Sequence, residues 1–302
     1  MPSLAARITD LVLKHKPSYS IGDEIDYEAK RRANASRHDL PIPRGLKLEE
    51  LDLNGMAGEK LTKEGNDKGW ILYIHGGGCT SGTARERRVI TQYLVDRCGY
   101  NCLAINYRLA PENLWPAQID DCFSAYANAL KQGYRAEEIV LMGESAGGTL
   151  ALATALKARD EGLPKPMAVV AFSPATDNYE ALPSHTANIA SDYMLTDAVA
   201  KGIAQVMFDH DPTKEELTQP LLSPLYGDYR GLPPIHLSAS DSEVLYDDAA
   251  LLYDKLRKEG HEAVMETAHQ VCHAYQIMTY MPESRKTIKN VMRFLDDIRE
   301  RK

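Results

Sequence analysis

The chain has 302 residues, of which 44% are hydrophobic and 26% charged, a globular composition long enough to bury one large core or two modest ones. A formal net charge of −8 leaves no electrostatic footprint for nucleic acid or for anionic lipid headgroups. No stretch approaches the roughly 18 apolar residues of a membrane span, and Arg7 and Asp10 interrupt the apolar positions near the N-terminus, so that segment does not read as a signal peptide.

From Leu4 to about Ala35 the pattern is helical, with apolar residues at Leu4, Ile8, Leu11 and Val12, a break at Pro17 and a charged stretch from Glu28 to Arg32. Residues 46–63 alternate apolar and polar side chains about Asn54-Gly55, the signature of a β-hairpin with its turn at that pair. After Gly69 short apolar runs are separated by longer amphipathic stretches, which predicts a parallel sheet with crossover helices. The runs are Trp70–Ile74, Asn101–Asn106, Ile139–Met142, Met167–Phe172, Ile235–Ser238 and Ala263–Glu266. Helices are expected near Ala84–Arg97, Pro116–Lys131, Ala146–Arg159, Asp247–Lys258 and Glu283–Arg299. The economical topology is an α/β doubly wound sheet. A stretch from Thr176 to about Gln219 breaks the alternation with helical patterning and no clear strand. Such an insertion lies most naturally above the carboxyl ends of the strands, where ligands bind, and reads as a lid together with the N-terminal helices. The five cysteines, Cys79, Cys98, Cys102, Cys122 and Cys272, are odd in number and lack C-x-x-C spacing. That pattern favours free thiols in a reducing compartment, and a cytoplasmic location is expected.

Chemistry is concentrated at strand ends. A buried-type strand runs from Ile139 straight into an Ala/Leu-rich helix through Gly143-Glu-Ser-Ala-Gly147. A sharp strand-to-helix turn forces its middle residue, Ser145, into an unfavourable backbone conformation, and glycines on either side remove the Cβ atoms that would collide. The serine hydroxyl is presented above the sheet, next to a helix N-terminus whose Ala146 N–H faces the place where an oxyanion would form. His75-Gly76-Gly77-Gly78 follows the strand Trp70–Ile74. A glycine run lets backbone N–H groups approach a tetrahedral oxyanion unhindered, so Gly77, Gly78 and Ala146 are the expected donors. His75 is expected to hold that loop by hydrogen bonding. No P-loop or dinucleotide-binding glycine pattern is present.

Activating Ser145 needs an imidazole and a carboxylate that fixes its tautomer. Asp241 follows the strand Ile235–Ser238 and His273 follows the next strand, and Ser145, Asp241, His273 is the order expected of a strand-to-helix serine elbow. Glu243 rivals Asp241 in one loop, and His269 rivals His273 in the other.

These residues resemble the hormone-sensitive-lipase-like family of α/β-hydrolase esterases, which includes bacterial acetyl and short-chain carboxylesterases. The resemblance is carried by His75-Gly-Gly-Gly, Asn106-Tyr-Arg-Leu-Ala-Pro-Glu112, Trp115-Pro-Ala with Asp120-Asp121, Gly143-Glu-Ser-Ala-Gly-Gly148, Ser223-Pro-Leu, Gly231-Leu-Pro-Pro234, and Asp241 with Glu243-Val-Leu-Tyr-Asp-Asp248. It implies an α/β-hydrolase fold, a mostly parallel central sheet flanked by helices with a helical cap. The cap would be residues 1–45 together with an insertion at about 177–219 in a hydrolase domain over 46–302. It also implies a Ser145–Asp241–His273 triad, a small-molecule ester as substrate, and no metal or cofactor. Similar enzymes are commonly homodimers, and no pattern in this chain decides that. The family usually has Asp where Glu144 stands and often an aromatic residue where Cys79 stands, which bears on substrate size more than on chemistry. The same triad could cleave small N-acyl compounds. Receptors on this fold, such as the plant gibberellin receptors, lack the catalytic histidine that His273 supplies here.

Overall fold

A computed structural model describes residues 1–15, 25–35, 40–179, 181–195 and 204–301. Eight strands form one sheet in the order β1-β2-β4-β3-β5-β6-β7-β8. The strands are β1 Leu46–Asp52, β2 Ala57–Lys63, β3 Trp70–Ile74, β4 Asn101–Ile105, β5 Ile139–Glu144, β6 Ala168–Phe172, β7 Ile235–Ser240 and β8 Ala263–Ala268. The expected hairpin is present: β1 pairs antiparallel with β2, and the turn residues Asn54 and Gly55 both take positive φ, 58° and 92°, as a two-residue turn of this hand requires. From β4 to β8 the remaining pairings are parallel. The inner strands β3 to β6 are buried on both sides because helices cover both faces of the sheet, whereas the edge strand β8 is half exposed.

The described helices are α1 Leu4–Lys14, α2 Tyr27–Ala35, α3 Arg88–Arg97, α4 Ala117–Lys131, α5 Ala146–Asp160, the short α6 Pro183–Ala187 and α7 Lys214–Leu217, α8 Tyr246–Lys258 and α9 Pro282–Glu300. Alternation along β3 divides the core. Leu72 and Ile74 pack with residues of α4 and α5 on one face, and Ile71 and Tyr73 pack with residues of α3 and α9 on the other. Helix α5 is apolar nearly all round and buried from Ala146 to Leu156, as expected of a helix enclosed by the fold. The chain leaves β3 for β4 on one side and returns to β5 on the other. The carboxyl ends of β3 and β5 therefore flank the crevice where the strand order reverses.

The N-terminal region forms two helices, and the break expected at Pro17 lies outside the described residues. Ser3 caps α1 by accepting from Ala6 N–H at 3.1 Å and ties it to α9 by donating its N–H and Oγ–H to Glu283. The apolar residues that mark α1 in the sequence, Leu4, Ile8, Leu11 and Val12, are exposed, and the docked face is Ala6, Thr9 and Leu13. Helix α2 is held through Arg31, whose guanidinium donates to Thr80 O, Ala110 O and Glu112. No described helix is long and apolar enough to cross a membrane. All five cysteines are free thiols.

Candidate active site

The turn between β5 and α5 has the geometry its glycines require. Ser145 sits at φ 55°, ψ −129°, a left-handed conformation that a residue with a Cβ rarely adopts. Its N–H donates to Phe172 O at 2.8 Å, which locks the turn to β6. A Cβ on Gly147 would lie 2.1 Å from Ile74 O, and one on Gly143 would lie 2.4 Å from Gly147 O. No larger residue fits at either position.

The glycine loop after β3 is organised by the residue just before the serine. Glu144 is buried, and its carboxylate accepts from Gly76 N–H at 2.6 Å, from Tyr73 Oη–H at 2.7 Å and from Arg87 Nε–H at 2.5 Å. Burial opposes the Arg87 charge, and the adjacent Glu144 outweighs that cost, holding the guanidinium above its ordinary pKa. With Gly76 N–H committed to Glu144, the Gly77 and Gly78 amides, like that of Cys79, donate to no group among the described residues. Ala146 opens α5, so its N–H lacks an intrahelical acceptor. The three expected donors thus keep their N–H groups available.

His75 holds this loop, as its position suggested. It stacks on Tyr107 with ring centroids 4.3 Å apart and bonds Gly76 O through Nδ1 at 2.8 Å. Burial and the nearby Arg87 charge push its pKa down to about 4, which favours the neutral ring.

The expected contact of His273 with Asp241 requires a correction. His273 Nδ1 donates to Glu243 Oε2 at 3.0 Å, and the two side chains are 3% and 0% exposed. Asp241 pairs with His269 instead, at 2.5 Å between side chains that are 33% and 64% exposed, so the expected Asp241–His273 contact is not formed. The reason is the turn that ends β7. Asp241 N–H donates to Ala268 O at 3.0 Å, which extends the ladder toward β8 and leaves the Asp241 side chain beside His269 at the surface. The chain then folds back, with Glu243 N–H donating to Ser240 O at 3.3 Å and Glu243 Oε1 accepting from Ser240 N–H at 3.2 Å. That turn carries the longer carboxylate inward to His273. Ser173 braces the base loop, its Oγ accepting from Ala274 N–H at 3.3 Å and pairing with the Gln276 amide at 3.4 Å.

Burial opposes the charged form of His273, but the hydrogen bond and charge of Glu243, with Asp192 and Glu144 behind, raise its pKa above the ordinary histidine value. Burial likewise raises Glu243, partly offset by His273. His273 Nε2 is buried without a hydrogen-bond partner among the described residues, so no bond to Ser145 Oγ is formed here. Such bonds commonly tighten only when substrate is bound.

The α/β hydrolase fold family matches residues 71–277. An acetyl-hydrolase of Streptomyces hygroscopicus is 32% identical over 266 residues, covering 87% of this chain and 86% of that protein. The chain belongs to the hormone-sensitive-lipase-like family of α/β-hydrolase esterases. As a member it is a carboxylic ester hydrolase. An esterase of Acinetobacter venetianus is 26% identical over 82% of each chain. The crystal structure of an esterase from the bacterial hormone-sensitive lipase family superposes on this esterase with a TM-score of 0.87 at 29% identity, covering 98% of each chain. The structure of EstE5 soaked with p-nitrophenyl butyrate superposes with a TM-score of 0.89 at 26% identity, over 98% of this chain and 99% of that one.

Two features of the esterase's site carry no local sequence signal. One is Arg87, whose partner Glu144 lies 57 residues away. The other is the set of side chains from residues 184–192 that hold the Glu243 loop.

Proposed function

We propose that the esterase hydrolyses short-chain acyl esters with Ser145 as nucleophile, His273 as general base and Glu243 as the acid that orients it. His273 Nε2 takes the Ser145 proton as Oγ attacks the ester carbonyl, and Gly77, Gly78 and Ala146 N–H groups receive the oxyanion. His273 returns the proton to the leaving alcohol, and water hydrolyses the acyl-enzyme by the same route. The observation that carries this reading is the buried Glu243–His273 pair with Nε2 unpartnered, together with a serine held in a strained turn. Glutamate can replace aspartate here because the acid only fixes the tautomer and stabilises the imidazolium.

Support for short acyl chains comes from the relatives named acetyl-hydrolase and from EstE5 soaked with p-nitrophenyl butyrate. Initial rates on p-nitrophenyl esters of increasing acyl length are expected to peak at roughly two to six carbons. A peak beyond about ten carbons would replace the short-chain reading with a lipase-like one.

The pH profile follows from the direction of the His273 shift. The base must be neutral, and its pKa is raised, so activity is lost as pH falls through a value above the ordinary histidine pKa of about 6.5. The acid limb of kcat/KM is expected to lie above that value. A limb well below pH 6 would remove His273 as the base.

Residues 1–45 and about 177–219 are proposed as a cap. The supports are the Arg31 contacts to Thr80 and Ala110 and the side-chain bonds of residues 184–192 to the acid loop. We also propose a reducing, cytoplasmic setting, on the five free cysteines. Recovery of disulfide-bonded protein from intact cells would count against it.

A further inference from the structure

We propose that Asn188 and Asp192 are positioning residues that hold the turn 241–244 so that Glu243 stays against His273. The inference rests on the reading of Glu243 as the triad acid. It makes the middle of the insertion a splint for the catalytic machinery, in addition to any covering role.

Beyond the bonds to Ser240 that close it, the turn is tied to a distant segment. Asn188 donates both amide hydrogens, to Asp241 O at 3.1 Å and to Glu243 O at 2.8 Å. Ser191 Oγ–H donates to Ser242 O at 2.8 Å, and Ser184 Oγ–H to Val244 O at 2.7 Å. Every carbonyl from Asp241 to Val244 thus accepts from a side chain of the segment 184–191. The one amide bonded in return is Val244 N–H, which donates to Asp192 Oδ2 at 3.0 Å. Asp192 is itself fixed, because Oδ1 accepts from Met194 N–H and Leu195 N–H at 2.9 and 3.0 Å, and it is 3% exposed.

Apart from Glu243 O, which also accepts from Tyr246 N–H at 3.2 Å, these carbonyls have only the side chains above as partners among the described residues, and buried unpaired groups drive a loop toward other conformations. Side chains from a distant segment remove that drive and select one backbone path. Asn188 bridges the two carbonyls on either side of Ser242, which sets the direction in which the Glu243 side chain leaves the backbone. A displacement of about 1 Å in a catalytic group can cost on the order of 10²-fold in rate. Asp192 also places a buried negative charge close enough to raise both His273 and Glu243.

The test measures kcat, KM and the pH profile of the full-length enzyme for Asn188→Ala, Asp192→Asn, Glu243→Gln and Asn188→Ala combined with Glu243→Gln, on one p-nitrophenyl ester. Asn188→Ala is expected to lower kcat about ten- to hundredfold with KM within about twofold. It is expected to add little once Glu243 is already Gln, since its action passes through that carboxylate. Asp192→Asn is expected to lower kcat and to move the acid limb of kcat/KM downward, a shift that a merely structural residue would not produce. Unchanged kcat in Asn188→Ala, or losses that multiply fully with Glu243→Gln, would overturn the proposal while leaving the triad intact. Full activity in Glu243→Gln would instead overturn the assignment of the acid, and the splint with it.

Discussion

Ser145→Ala is expected to lower kcat by about 10⁶-fold and Glu243→Gln by about 10⁴-fold, whereas Asp241→Asn stays within about twofold of the unaltered enzyme. Removing the nucleophile leaves only what binding and the oxyanion donors contribute. Glu243→Gln keeps the shape of the acid but presents an amide that can donate to His273 Nδ1, which favours the wrong imidazole tautomer and aims the proton at Ser145. Asp241 contacts His269 at the surface, so its amide variant disturbs an exposed pair worth little. Single-turnover and steady-state rates on a p-nitrophenyl ester separate the three variants. The reverse ranking of Glu243 and Asp241 would restore the acid expected from chain order.

Glu144→Ala is expected to lower stability by about 3–5 kcal/mol and kcat by about 10²–10³-fold. The stability loss arises because Arg87 Nε–H, Tyr73 Oη–H and Gly76 N–H all lose their acceptor at once, and the buried guanidinium is left with only Glu86, 3.8 Å away, to oppose its charge. The rate loss arises because Gly76 is the anchor of the glycine loop. When its N–H is free to turn, the Gly77 and Gly78 donors are no longer preorganised for the oxyanion. Urea unfolding measures the first effect and kcat at a temperature where the variant stays folded measures the second. Adding Arg87→Met to Glu144→Ala is expected to recover part of the stability by removing the stranded charge, and not the rate. Recovery of both together would mean that the pair acts on catalysis only through global stability.

Parts of the site were legible because their chemistry is local. The strained serine turn needs a glycine two residues before and another two residues after Ser145, and a loop that offers backbone N–H groups needs consecutive glycines after a strand. Both requirements act over a few residues and leave a contiguous mark. The hairpin at Asn54-Gly55 and the buried strands were legible for the same reason, since turn conformation and the enclosure of a parallel sheet each constrain neighbouring residues directly.

The apolar periodicity of α1 was legible as a helix but not as a docking face. Periodicity reports which residues share a side, while tertiary packing decided that Ala6, Thr9 and Leu13 are the side that docks. The choice between Asp241 and Glu243, and between His269 and His273, was likewise out of reach of the sequence. Both acids lie in one turn and both imidazoles follow one strand, so order and spacing suit either pairing. By itself the sequence determined the α/β sheet, the strand-to-helix turn at Ser145, the glycine loop after β3 and the two loops that hold the paired acids and imidazoles. Only the tertiary structure decided that Glu243 meets His273, that Arg87 reaches Glu144, and that residues 184–192 brace the acid loop, because each is a hydrogen bond between segments distant in the chain whose geometry depends on how the backbone turns between them.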